Sequence, residues 1–163
     1  MFKSFFPKPK LFVFSAIIWS AILITFWYSQ GENLGKAIGF ELLNEKTVIG
    51  LGHFVTPEFL WFDVYYLLGT LAFYFAWRFY SPHNWQNWSI LGSALLIYLS
   101  YASVQVSVVI NAWYGPFYDD IQKALSGNSD VEAETLYRHF IVFGSIAFPY
   151  VAFMIGNRFF TSH

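Results

Sequence analysis

The order of apolar and polar positions divides the chain into long hydrophobic stretches separated by shorter polar ones. Residues 11–28 carry no charge, residues 60–80 carry only Asp63 near one end and Arg78 near the other, and residues 79–118 contain no Asp, Glu, Lys or Arg. A hydrocarbon crossing takes about 20 apolar residues as a helix. These stretches therefore predict membrane spans over residues 11–28, 60–80 and 88–110, with a fourth over 136–157. The uncharged core of the fourth is short for a crossing, but residues 134–138 can extend the same helix outward. Pro149 inside it removes one backbone hydrogen bond and predicts a kink near Ile146.

The connections carry their own signals. Residues 29–59 are polar and glycine-bearing, with Glu32, Glu41, Glu45 and Glu58 set against Lys36 and Lys46, and read as an external loop. Residues 81–87 form a tight connection in which Pro82 and His83 stop a helix while Trp85 and Trp88 anchor the interface. A second external loop is expected over residues 111–135. At its start Asn111, Trp113 and Tyr114 mark the headgroup layer, where a ring is dehydrated and its polar tip stays wet. Pro116 suits the first turn of a new helix. Phe117, Ile121 and Leu125 then recur at helical spacing, with Asp119, Asp120 and Lys123 on other faces, which predicts a short helix lying on the membrane surface. Turn formers over residues 126–130 follow, and Glu132 and Glu134 suit the positive end of the last helix.

Composition places these helices in lipid. The chain is 56% hydrophobic and 23% aromatic with 12% charged residues and a mean hydropathy of +0.45, so the expected class is an all-α, polytopic membrane protein of four transmembrane helices, forming a single transmembrane domain over residues 1–163. A net charge of -1 provides no long-range field for nucleic acid. The absence of cysteine excludes disulfides, thiolate metal sites and cysteine nucleophiles. There is no Gly-x-x-x-x-Gly-Lys phosphate loop, and no internal repeat. Lys3, Lys8 and Lys10 precede the first span and place the N-terminus in the cytoplasm. The first span ends in Phe26-Trp27-Tyr28 without an Ala-x-Ala site, and so reads as uncleaved. Four crossings return the C-terminus to the same side, with Arg78 and Arg158 also inside. Lys36, Lys46, Lys123 and Arg138 fall in the longer outside tracts.

Few residues offer chemistry. Asp63 is the acid within a span, where a charge is costly unless it faces a cavity or a partner, so it is a candidate for a cavity or proton relay; alternatively it reaches headgroup water about one turn inside the interface. Ser93, Ser100 and Ser107 fall at heptad spacing with Ser103 beside them and Gln105 on another face. Ser100, Ser103, Gln105 and Ser107 are candidates either for helix packing or for lining an aqueous pathway. Asn111, at the expected end of the third span, reads as a cap for backbone carbonyls. The histidines, His53, His83, His139 and His163, fall in loops or at helix ends without metal-ligand spacing, which speaks against haem or metal. No nucleophile, metal or cofactor constellation points to an enzyme.

Three stretches resemble one family. Asn111-x-Trp113-x-x-x-Phe117-Tyr118-Asp119-x-Ile121-Gln122, Phe5-Phe6-Pro7-Lys8-Pro9-Lys10 and Ser81-Pro82-His83-x-Trp85-Gln86-x-Trp88-Ser89-Ile90-Leu91-Gly92 resemble elements of SbmA/BacA-like inner-membrane peptide transporters and of related ABC-type transmembrane domains. The resemblance implies part of an ABC-exporter-like transmembrane domain that lacks a nucleotide-binding domain, sits in the bacterial inner membrane, acts as a homodimer in the complete transporter, and takes up peptides and peptide-like antibiotics with the proton gradient. Asn111, Trp113, Phe117, Tyr118, Asp119 and Gln122 are then expected to be structural, forming a corner with little direct substrate chemistry. Asp120 departs from the pattern, since family members usually have an apolar residue there. Family members also continue past the position of His163 into further spans, which hold most of the membrane glutamates thought to couple protons. The expectation is an N-terminal portion of such a transporter; the alternative is a non-transporting membrane subunit or truncated remnant.

Overall fold

The computed structural model describes residues 8–42, 48–127 and 133–162, and every regular element among them is helical. In order these are α1 (Pro9–Ile38), a 3-10 helix (Leu51–Val55), α2 (Pro57–Tyr80), a π-helix (Asn87–Gly92), α3 (Ser93–Leu125) and α4 (Ala133–Thr161). Lys3, residues 5–7 of the N-terminal signature, Glu45 and Lys46, residues 128–132 and His163 lie outside the described residues. With the π-helix and α3 taken as one stretch, Asn87–Leu125, four helices are long and apolar enough to cross a membrane. The all-α membrane architecture expected from the hydropathy pattern is the observed one. Large apolar side chains such as Phe14, Ile17, Phe148 and Ile155 are exposed; in a bilayer they face hydrocarbon at no cost.

Two compact units divide the chain, one of Met1–Asn44 with Pro57–Tyr98, the other of Glu45–Thr56 with Leu99–His163. In the first, α1 and α2 run antiparallel and are joined by aromatic side chains that bond backbone carbonyls across the pair. Trp19 Nε1 donates to Gly69 O at 3.0 Å, Tyr65 Oη to Leu23 O at 2.7 Å and Trp61 Nε1 to Gly31 O at 2.9 Å. Trp77 Nε1 donates to Ser15 Oγ at 3.1 Å. Each bond ties a large ring to one place on the facing helix, which apolar contact alone would not do in lipid. Close approach needs small residues: a Cβ on Gly69 would stand 2.8 Å from Leu23 Cδ1. The start of α3 joins this unit through Tyr66 Oη, which donates to Ala94 O at 2.6 Å.

Helix α1 continues ten residues beyond the expected end of the first span. Glycine in residues 29–38 reads as a loop signal in sequence, but here Gly31 and Gly35 are the buried positions of α1. A Cβ on Gly35 would lie 3.0 Å from Trp61 Nε1, so glycine serves to admit the indole. Lys36 pairs with Glu32 one turn earlier at 2.6 Å. The helix ends at Gly39, whose φ of 103° is the left-handed conformation. Gly39 N donates to Lys36 O and Phe40 N to Gly35 O, the paired bonds of a Schellman terminus.

In the second unit α3 and α4 run antiparallel, with Val109, Trp113 and Ile146 buried. The expected turn after Ile110 is absent, because α3 passes through Asn111 and Pro116 to Leu125 as one helix. Pro116 leaves the carbonyl of Ala112 without its usual helical donor, a local loss a membrane helix can carry when packing holds it. As expected, α4 includes Glu134 and Arg138, paired at 3.7 Å, and Pro149 lies within it.

Candidate functional site

Asp63 sits in the second turn of α2, half-buried, and accepts a hydrogen bond from Tyr98 Oη at 2.9 Å. The Tyr98 ring packs on Tyr66 at 5.8 Å. The carboxylate therefore has a partner on the neighbouring helix of its own unit, and that the partner is Tyr98 was not legible in the sequence. A phenol bonded to a carboxylate can pass or hold a proton, and it also fixes the position of α2 beside the start of α3.

The serine stripe on α3 turns inward on its own helix. Ser103 Oγ donates to Leu99 O at 3.0 Å and Ser107 Oγ to Ser103 O at 3.2 Å, so both hydroxyls are engaged four residues back. Ser100 is exposed. Gln105 is placed differently: its Oε1 lies 2.9 Å from His53 Nε2, a bond in which the ring donates when Nε2 carries the hydrogen. This contact fastens the 3-10 helix to α3, and a Cβ on Gly50 just before that helix would meet Val142 Cγ1 of α4 at 3.5 Å.

The aromatic and polar cluster at residues 111–122 is built around Trp113. Only 4% of it is exposed, and its Nε1 donates to His139 O at 2.9 Å. Phe117 stacks on its ring at 4.5 Å and Phe143 of α4 packs at 4.7 Å. Trp113 is thus a buried link between helices and does not hold its indole tip in headgroup water; Tyr114 and Tyr118, both exposed, fit that description better. Asn111 is exposed within α3 and so is not a helix cap. Asp119 and Gln122 are exposed.

Asp120 and His139 complete the cluster. His139 Nε2 lies 2.6 Å from Asp120 Oδ2, with side-chain exposures of 18% and 21%, and Phe117 packs its edge toward the imidazole at 5.8 Å. Lys123 approaches the other oxygen, Oδ1, at 3.9 Å. The ring donates to the carboxylate whether it is neutral with the hydrogen on Nε2 or fully protonated; protonation turns the bond into an ion pair and strengthens it. Sequence reasoning placed Asp120 away from the packing face of Phe117. In fact Trp113, Phe117 and Asp120 fall at i, i+4 and i+7 of a continuous helix, one stripe, and that spacing was the available signal. His139 carried no comparable mark, because its partner lies on another helix. Tyr98, His53 and Trp61 were missed for the same reason.

Gln86 adds an unusual feature beside the π-helix. It is buried, its Nε2 donates to Tyr74 O at 2.8 Å, and its Oε1 accepts no hydrogen bond among the described residues. Tyr74 Oη in turn donates to Asn87 Oδ1 at 2.7 Å.

A sequence model of the SbmA/BacA-like family matches residues 82–163. The match takes in the connection from Pro82, the π-helix, and all of α3 and α4, while the N-terminal signature lies ahead of it. It therefore spans half of the chain, and within it fall the Trp113 link, the Asp120–His139 pair and the whole Asn111-x-Trp113-x-x-x-Phe117-Tyr118-Asp119-x-Ile121-Gln122 element. On that match, and on four helices of membrane-crossing length, the chain belongs to the SbmA/BacA-like family of membrane transporters.

Proposed function

We propose that this protein takes part in the proton-driven uptake of peptides and peptide-like antibiotics across the bacterial inner membrane, as part of an SbmA/BacA-like transporter. The observation that carries the reading is the family match over residues 82–163 together with the motif that it contains. The oriented unit is a single transmembrane domain with both termini cytoplasmic, and in the complete transporter two copies pair. Asp63 and its Tyr98 partner are the proposed point of proton exchange within a membrane-length helix; Ser100, Ser103, Gln105 and Ser107 belong to packing, and the residues from Asn111 to Gln122 to structure.

The test is made in cells. Deleting the gene should protect its host from a peptide antibiotic that acts on an internal target, and restoring the gene should restore killing. An uncoupler that collapses the proton gradient should abolish uptake of a fluorescently labelled peptide without removing the protein from the membrane. Unchanged sensitivity after deletion would refute peptide uptake, and uptake that survives the uncoupler would refute proton coupling. In the same assay Asp63→Asn should lower uptake while leaving abundance unchanged.

A further inference from the structure

The first unit contains a groove of about 630 Å³ lined by α1, α2, the π-helix and the start of α3, within the roughly 300–1,000 Å³ usual for small-ligand clefts. Small residues open it: Ala16, Ser20, Gly69, Ser93 and Ala94 all lie along its lining. Phe12, Leu23, Ile24, Phe73, Ile90 and Ile97 supply apolar surface. The lining also includes Trp19, Tyr65 and Tyr66, whose polar tips would normally suit a polar ligand. Here each tip is engaged by a backbone carbonyl, at Gly69, Leu23 and Ala94 respectively. What these side chains have left to offer the groove is ring surface, which suits hydrocarbon and does not suit a hydrated peptide backbone.

Charge marks one end of the groove. Phe12 lies one turn above Lys8, to whose carbonyl its own amide is bonded at 2.9 Å. Lys8 Nζ stands 4.8 Å over the Tyr80 ring and within 3.4 Å of its hydroxyl. Lys10 is exposed at the same end, as is Arg78, whose Nη1 reaches Tyr74 Oη at 3.4 Å. Among the described residues, no carboxylate pairs with any of these three cations. The acids of this unit, Glu32, Glu41, Glu58 and Asp63, all lie toward the opposite end of the antiparallel pair. The lining runs along α1 from Phe12 to Tyr28, about 24 Å at 1.5 Å per residue, of which the stretch from Phe12 to Leu23 takes up about 16 Å. One leaflet of a bilayer is about 15 Å deep in hydrocarbon.

We infer that this groove is a binding site for one anionic phospholipid, with its phosphate held by Lys8, Lys10 and Arg78 and an acyl chain laid along α1 from Phe12 toward Leu23. The apolar lining accounts for the chain, and the three cations at a single end, with which no carboxylate pairs among the described residues, account for the headgroup and select one leaflet. This site is independent of which solute the transporter carries.

The test uses the full-length protein, extracted in mild detergent and exchanged into vesicles of equal parts phosphatidylglycerol and phosphatidylcholine, then released for native mass spectrometry. A retained phosphatidylglycerol adduct is expected, with little phosphatidylcholine. Lys8→Gln, Lys10→Gln and Arg78→Gln change exposed side chains and should fold; each should weaken retention about fivefold, the effect of one cation near an anionic headgroup. Ala16→Trp should remove the adduct by filling the groove, and a thermal melt matching the parent identifies variants that have folded. Equal retention of the two lipids, or retention unchanged in all three charge variants, overturns the site. A lipid-free protein whose groove is shielded by a second copy, seen as a dimer dispersed by Ala16→Trp, overturns it as well.

Discussion

Trp113 shows how much a single side chain does in this membrane fold. It contributes a large ring to a buried stack with Phe117 and Phe143, and one hydrogen bond to the His139 carbonyl. The two parts separate by mutation. Trp113→Ala opens a cavity and should cost about 3–5 kcal/mol, read as a lower melting temperature in detergent and less folded protein in the membrane. Trp113→Phe keeps most of the ring and loses the bond, so it should cost about 1 kcal/mol beyond the lost area. Equal losses for both would mean that the hydrogen bond, rather than the packing, holds α3 to α4. The neighbouring pair is tested by a double-mutant cycle of Asp120→Asn and His139→Gln, with stability read from thermal melts. A coupling energy above about 0.5 kcal/mol is expected for side chains in direct contact, and strictly additive losses would mean that this contact does not help to hold α3 to α4.

At the scale of elements, the same residue type does opposite things in different helices. Gly35 of α1 has the Trp61 indole against it, whereas a Cβ on Gly115 of α3 would meet nothing within 4 Å. Gly35→Val should therefore destabilise the α1–α2 pair by about 1–3 kcal/mol, since the indole is a rigid neighbour already bonded to Gly31 O. Gly115→Ala should be neutral or stabilise α3 by up to about 1 kcal/mol through helix propensity. Thermal melts of the two variants decide the matter, and a costly Gly115→Ala would mean that another surface closes on this face. The existence of each long helix was legible from hydropathy, but where α1 and α3 stop was not. Residues 29–38 and 111–125 contain glycine, proline and polar side chains that ordinarily mark loops. Here the Glu32–Lys36 pair, the fit of Trp61 against Gly31 and Gly35, and the Trp113–Phe117–Asp120 stripe keep the backbone helical.

For the whole molecule, the proposed orientation predicts reporter fusions after Asn44, Asn87, Asn128 and His163 reading outside, inside, outside and inside; an inside signal at Asn128 would overturn it. The sequence by itself determined the solvent of this protein, the number of its long helices and its family, because a hydrocarbon core demands long uncharged helical runs and because the Asn111 to Gln122 element is contiguous in the chain. The pairing of side chains was decided by tertiary structure alone. Asp63 with Tyr98, Gln105 with His53, Asp120 with His139 and Trp61 with Gly31 are separated by 35, 52, 19 and 30 positions. In lipid nearly all apolar faces are equally comfortable, so hydropathy says little about which face meets which helix. That choice falls to a few polar tips and to the small residues that let them reach a backbone carbonyl, and their partners come within reach only when separate helices lie side by side.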